Sequence, residues 1–250
     1  MNTQEFSPRE TVERAFRRWW VIVILTVVGA VAGWAFHFFN PPVYEATSFM
    51  TVNMDFTKFQ LTQYEEDYAF DSAGAIATGD DVENQIIAEA KARRLPIELD
   101  QLRQQIFIER KQSVWELHVR NQDPQIAAGL ANIWAEKFDA ALHTALGHAI
   151  RADQIQTQIA AINNSLPASG SPVLSPAAQT TLKNLSDELV QEQQLSLGIL
   201  STMKFAASGS ATAPRKPVLY YLAYLVLAGA CIGFVVSVWM VGSTRGQRHG

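Results

Sequence analysis

Histidines, carboxylates and cysteines are where chemistry would begin in this chain, and their spacing offers little. His143 and His148 stand five residues apart on a helical pattern. Two ligands on one helix face stand at i,i+4, so a separation of five reads as two unrelated surface histidines. Glu65-Glu66-Asp67 is a run of carboxylates with no pocket implied around it, which reads as a solvated patch. Strand alternation over Val114 to Arg120 puts Trp115, Leu117 and Val119 on one face and Glu116 and His118 on the other, so His118 reads as a solvated strand histidine rather than a ligand. The sequence contains no nucleophile elbow, no glycine-rich phosphate loop and no Cys/His cluster. The expectation is therefore a non-enzyme with no catalytic residues, no cofactor and no metal site.

Glycine, in contrast, recurs in a pattern: Gly29-x-x-x-Gly33 and Gly229-x-x-x-Gly233. Small residues four apart let helix backbones approach closely, so these four are candidate helix-pairing positions, within or between subunits. They belong to two apolar stretches, Trp19 to Phe39 and Val218 to Val241, neither of which contains Asp, Glu, Lys or Arg. A helix needs roughly 20 apolar residues to cross a hydrocarbon core of about 30 Å, and both stretches reach that length. The chain reads as a two-span membrane protein. Ala30-Val31-Ala32 has the small-x-small form of a signal cleavage site, but the apolar run continues through Trp34, Phe36, Phe38 and Phe39, as a span with an outer aromatic belt would. Trp19 and Trp20 would mark the inner interface and Tyr220, Tyr221 and Tyr224 the outer one.

Arg9, Arg14, Arg17 and Arg18 precede the first span, whereas Asn40 to Met54 contains no Lys or Arg. That asymmetry points the N-terminus into the cytoplasm, and two spans return the chain to the same side. Arg245 and Arg248 follow the second span. The two tails hold six of the 20 basic and three of the 24 acidic residues, so the part between the spans is acidic and makes a poor nucleic-acid binder. Simple topology determination and contact with an anionic inner leaflet both explain the basic tails. The single cysteine, Cys231, is inside the second span, so the exported part holds no disulfide and relies on packing.

Domain organisation follows: a cytoplasmic tail 1–18, a span 19–39, an extracytoplasmic domain 40–217, a span 218–241 and a cytoplasmic tail 242–250. Ser7-Pro8-Arg9-Glu10 reads as a capping box that starts a helix into the membrane. Tyr44 to Met54 reads as a first strand, and the acidic-aromatic stretch Asp55 to Thr78 as a partly helical excursion or a partner surface. Asp80 with Glu83 resembles a capping pair ahead of a short helix that Pro96 stops. Asp100 to Gln105 suggests a helical turn, and Ile106 to Glu109 with Val114 to Arg120 two strands. Asp123-Pro124 opens a helix whose apolar residues keep three-and-four spacing to Leu166, about 60 Å of helix, which predicts a projecting arm. After a Pro167 to Ser175 turn, Ser175-Pro176 opens a returning helix through Leu182, Leu189, Leu195, Ile199 and Met203, and Ala206 to Pro217 reads as a linker ending in Pro214 and Pro217. The expected fold class is thus an α+β membrane protein: two transmembrane helices flank one extracytoplasmic domain with a small α/β base (40–123) and a long antiparallel helical hairpin arm (124–205).

This order of parts resembles the Wzz-type chain-length determinants, the polysaccharide co-polymerases, in the form lacking a fused tyrosine kinase. The resemblance is carried by the basic tail and span, by Pro42-Val43-Tyr44-Glu45-Ala46 entering the first strand, by the helix from Val82 to Arg94, by Asn121-Gln122-Asp123-Pro124-Gln125-Ile126-Ala127-Ala128 with Ala131-Asn132, and by the prolines before the second span. It implies a homo-oligomer whose exported bases ring together, governing the length of a surface polysaccharide beside an integral-membrane polymerase and a lipid-linked glycan. Many relatives continue past the second span into a kinase, but here Gly242 to Gly250 follow, so a second expectation is an adaptor whose tails, with Arg9, Arg14, Arg17, Arg18, Arg245 and Arg248, contact a separate cytoplasmic tyrosine kinase. The proline segment is shorter than in many relatives. A sensor would need a cytoplasmic output domain that these short tails do not provide.

Overall fold

The computed structural model describes residues 19–54, 62–164 and 176–243. The expected capping box at Ser7, the arginines at 9, 14, 17, 18, 245 and 248, Phe56, Phe59 and the turn at 167–175 lie outside those residues. The chain divides into two compact units, one of Met1–Tyr44 with Arg215–Gly250 and one of Glu45–Pro214.

The first unit is built on two helices, α1 (Trp19–Phe39) and α7 (Leu222–Ser243). Both have stretches long and apolar enough to cross a membrane, 21 residues in α1 and 19 (Leu222–Met240) in α7. Their hydroxyls turn back on the helix itself: Thr26 donates to the Ile22 carbonyl at 2.8 Å and Ser237 to the Phe234 carbonyl at 2.6 Å. Satisfying a polar group locally is what a helix in hydrocarbon requires. The second span starts later than the apolar pattern suggested. Val218 and Leu219 pair with Val43, the Val218 amide donating to the Val43 carbonyl at 2.8 Å, and Tyr220 takes a positive φ of 56° while its carbonyl is bound by His37 Nδ1 at 3.0 Å. Val218 and Leu219 are apolar enough for a span, but they hydrogen-bond to Val43 ahead of the helix.

The second unit contains a four-stranded sheet in the order β2-β3-β1-β4, from β1 (Tyr44–Met54), β2 (Ile106–Lys111), β3 (Val114–Asn121) and β4 (Met203–Gly209). Neighbours β2 and β3 run antiparallel, as do β1 and β4, with Val52 opposite Phe205 and a bulge at Phe49/Met50. Between β3 and β1, the Val52 amide reaches the Ser113 carbonyl while Arg120 reaches Glu45, so these strands also run in opposite directions. Strand β4 corrects two expectations. Met203 is not the end of the returning helix, and residues 206–209 are not linker but sheet.

Four short or medium helices and the long one complete this unit: α2 (Gln63–Ala77), α3 (Asp80–Ala92), α4 (Leu99–Gln105), α5 (Pro124–Asn164) and α6 (Pro176–Leu195). Thr62 and Glu65 form a capping box that starts α2. Asp80 and Glu83 do not cap α3, whose N-cap is Gly79; both carboxylates bind Arg103 of α4, at 2.6 Å each. Asp123 does cap α5, its Oδ1 accepting from the Gln125 amide at 2.7 Å, and Asn121 Oδ1 accepts from the Asp123 amide just before it.

The core lies between one face of the sheet and α5. Trp115, Leu117 and Val119 of β3 meet Leu130, Ile133, Trp134, Phe138 and Leu142, all buried. Trp134 Nε1 donates to the Ala77 carbonyl at 2.8 Å and Ser48 Oγ to the Ala131 carbonyl at 2.8 Å, so these two polar side chains of the core are paired. Burial along α5 continues to Ile155, with Ala127 to Ala149 in the same cluster as the sheet. The first half of the expected arm is therefore also the helix on which the base is built.

Candidate functional site

Three regions gather residues able to bind something. The first is the face where α1 and α7 meet, antiparallel. A Cβ added at Gly29 would strike the Gly229 carbonyl, one at Gly229 the Gly29 carbonyl, one at Gly33 the Leu225 carbonyl and one at Gly233 the Leu25 carbonyl. All four predicted glycines thus lie on one backbone-to-backbone contact within a single chain, a distance that any larger side chain would prevent. Aromatic residues stand at both ends of this pair. Trp34, Phe36, Phe38 and Phe39 lie at one end with Tyr220, Tyr221 and Tyr224, Phe36 packing on Tyr220 at 6.2 Å. Trp19 and Trp20 lie at the other, where the antiparallel pairing also sets Trp239, which sequence reasoning passed over.

The predicted prolines lie in the irregular segment between β4 and α7, both half-buried, Pro214 in the second unit and Pro217 in the first. What secures the start of that segment is Asn132 on α5: its Nδ2 donates to the Ala211 carbonyl at 3.0 Å and its Oδ1 accepts from the Ala211 amide at 2.7 Å. Nothing local in the sequence announces this clamp, because its two halves are 79 residues apart.

A second region is a groove of about 460 Å³ among α2, α5 and the turn after α6, lined by Tyr64, Tyr68, Asp153, Gln156, Gln193 and Ser201. Tyr64 and Tyr68 are 79% and 62% exposed, open ring faces beside amides and a carboxylate, a combination suited to a polyhydroxylated ligand. Three acidic residues around those tyrosines, Glu65, Asp67 and Asp71, have structural partners. Arg110 binds Asp67 at 2.8 Å and Asp71 at 3.3 Å and lies over the Phe70 ring at 4.6 Å. Glu65 is held below the usual carboxylate range by the Thr62 backbone amide and then its hydroxyl.

The third region is the sheet face opposite the core, with Glu45, Thr47, Glu109, Lys111, Glu116, His118 and Arg120. His118 departs from the sequence expectation: it is only 7% exposed, stacked 4.5 Å from Phe107 with the rings 3° from parallel. Its burial comes from neighbours on β1 and β2 that alternation along β3 alone cannot reveal. The Lys111 ammonium, 2.8 Å from Glu116, holds that carboxyl below its usual range. His143 and His148 are separate, as expected, bound to the Asp139 carbonyl and to Glu192 respectively.

With this geometry in hand, residues 5–88 match the family described as Wzz, chain length determinant protein. Over this stretch the chain is similar to the Wzz family. The Wzz match covers about a third of the sequence, taking in α1, β1, α2 and most of α3. No curated protein matches. Among solved structures, a full-length bacterial polysaccharide co-polymerase is 13% identical with a TM-score of 0.44, covering 96% of this chain and 98% of that one. A mutant of the Shigella flexneri lipopolysaccharide O-antigen chain-length regulator WzzBSF is 13% identical with a TM-score of 0.21, covering 70% and 99%. A fragment of the co-polymerase WzzB from Salmonella Typhimurium is 12% identical with a TM-score of 0.21, covering 70% and 98%. These structural likenesses are distant, and the similarity to Wzz is carried by residues 5–88. Wzz co-polymerases are generally non-catalytic and oligomeric.

Proposed function

We propose that this chain regulates the chain length and export of a surface polysaccharide, as a non-catalytic co-polymerase that oligomerises beside the polymerase and the lipid-linked glycan. The observation that carries this is the Wzz match over residues 5–88, which takes in the first membrane-length helix and the entry into the α+β unit. Both termini lie in the cytoplasm of a bacterial inner membrane and residues 40–217 face outward. The arginine excess before α1, with no Lys or Arg in the fifteen residues after it, supports that orientation.

In this mechanism the glycine-lined pair of spans holds each subunit as one rigid membrane element, and length control is a property of the assembly rather than of a reacting atom. The tyrosine-bearing groove supports direct glycan contact, since flat rings and amides are what a chain of sugars can stack on and hydrogen-bond to. Deleting the gene and separating the surface polysaccharide on a gel tests the proposal. A shifted or broadened length distribution is expected, restored by the intact gene; an unchanged distribution and amount would sink it.

A further inference from the structure

The sheet face opposite the core holds a second, unassigned feature, independent of the chain-length reading. Glu109 of β2 lies directly opposite Glu116 of β3 in the antiparallel register, and His118 is two residues further along β3. Like charges directly opposite each other on a sheet repel, so this pair calls for a cation, a place that Lys111 fills in part. The three side chains offer one ligand atom each, all within 4.8 Å of one another. His118 Nε2 is 3.3 Å from Glu116 Oε2 and 3.7 Å from Glu109 Oε2.

The imidazole is oriented from behind. His118 Nδ1 lies 3.0 Å from Glu45 Oε1 and 3.1 Å from Thr47 Oγ1. A carboxylate at that distance requires a proton on Nδ1, and Arg120, 2.8 Å from Glu45 Oε2, fixes the carboxylate in turn. In the neutral ring the Nε2 lone pair then faces the two glutamates. That atom is buried and has no hydrogen-bond partner. Phe107 stacked on the ring prevents it from swinging away.

We propose that His118, Glu116 and Glu109 bind a divalent transition-metal ion of the zinc type, with Glu45 orienting His118. One imidazole and two carboxylates form a common donor set for such ions, and the carboxylate-histidine-metal relay is the usual supporting arrangement. Metal-ligand bonds of about 2.0–2.2 Å in a tetrahedron place ligand atoms about 3.3–3.6 Å apart, close to the two separations found here. Lys111, with its ammonium 2.8 Å from Glu116 and 3.7 Å from Glu109, competes for the same oxygens, and its half-exposed side chain is free to withdraw. Since Glu45, His118 with Glu116, and Glu109 come from three neighbouring strands, the ion would staple β1, β3 and β2 in a domain that holds no cysteine.

The test is equilibrium dialysis of the untagged full chain in detergent against Zn²⁺ after chelator treatment, with thermal unfolding followed in parallel. One Zn²⁺ per chain is expected, with a higher melting temperature. His118→Gln and Glu116→Gln should each weaken binding at least tenfold and abolish the thermal shift, Glu45→Gln should weaken it by about tenfold, and Lys111→Met should tighten it. Circular dichroism checks that the variants fold, and Glu116→Gln serves where His118→Gln does not. Binding that is unchanged in the folded Glu116→Gln or His118→Gln protein would place the ion elsewhere and overturn the proposal. Failure of both the wild type and Lys111→Met to bind one Zn²⁺ per chain would also overturn it.

Discussion

Asn132 shows how much one side chain can hold at the residue scale. Its amide supplies both hydrogen bonds to Ala211, and the segment after β4 has no ladder of its own there. Asn132→Ala strands a half-buried amide and carbonyl, which costs about 1–3 kcal/mol. The expected outcome is a lower urea midpoint at unchanged slope, read by tryptophan fluorescence of the full chain in detergent. Asn132→Asp, which keeps the acceptor and loses the donor, should fall between the two. Glu83 tells a similar story: only 4% exposed, it is held by Arg103 rather than by the helix it opens. Residue type and spacing matched a capping pair, but an arginine 20 positions from Glu83 and 23 from Asp80 competes for the two carboxylates and wins by charge.

At the scale of elements, the instructive case is the end of α6. Leu195, Ile199 and Met203 follow at spacing four, and a helical pattern would run through them. Instead Leu197 and Gly198 take φ of 52° and 82°, α6 stops at Leu195, and Met203 enters β4 opposite Met54. Gly198 is required twice over, by its left-handed backbone and by the Ser72 hydroxyl 2.9 Å from where a Cβ would stand. Gly198→Ala is expected to destabilise by about 1–2 kcal/mol. Adding Ser72→Ala should recover only the hydroxyl's share of the clash, because the Cβ of residue 72 still stands 3.0 Å away, so a double variant as stable as the wild type would refute the backbone argument. The membrane helices make a parallel prediction. Gly29→Leu or Gly229→Leu forces the backbones apart and should weaken the pairing of α1 and α7 by about 1–3 kcal/mol, measured by SDS titration, while Val28→Leu, beside the contact, should not.

The whole molecule is sensitive to acid through its clasps. Glu89 is held below its ordinary value of 4.5 by hydrogen bonding to Arg93, Glu136 by Lys137 and then Arg93, and Glu65 by Thr62. The first two tie α3 to α5, with Arg93 2.7 Å from Glu89 and 2.9 Å from Glu136. Each of these carboxyls has a folded pKa below the unfolded one. Their contribution is therefore present in full above the ordinary carboxylate range and disappears as pH falls through the depressed values. Thermal unfolding of the full chain between about pH 7 and about pH 3 should show the midpoint falling only in the acid part of that range. Glu89→Gln with Glu136→Gln should flatten that limb, and a wild-type midpoint that does not move would contradict the role of the clasp.

What the sequence determined by itself was set by local periodicity and capping wherever no distant partner competed. Apolar length defined two membrane helices, Asp123-Pro124 opened α5, alternation marked β1 and β3, and the glycine spacing identified the four positions at which α1 and α7 touch. Those features depend on neighbours a few residues apart. Tertiary structure alone decided that Asp80 and Glu83 meet Arg103, that residues 203–209 close the sheet beside β1, and that His118 is buried. Many of these contacts join residues far apart in sequence, as Arg103 and Glu83 are at 20 positions and Thr51 and Ala206 at 155. No local pattern encodes such a meeting, because its energy exists only once the strands have paired.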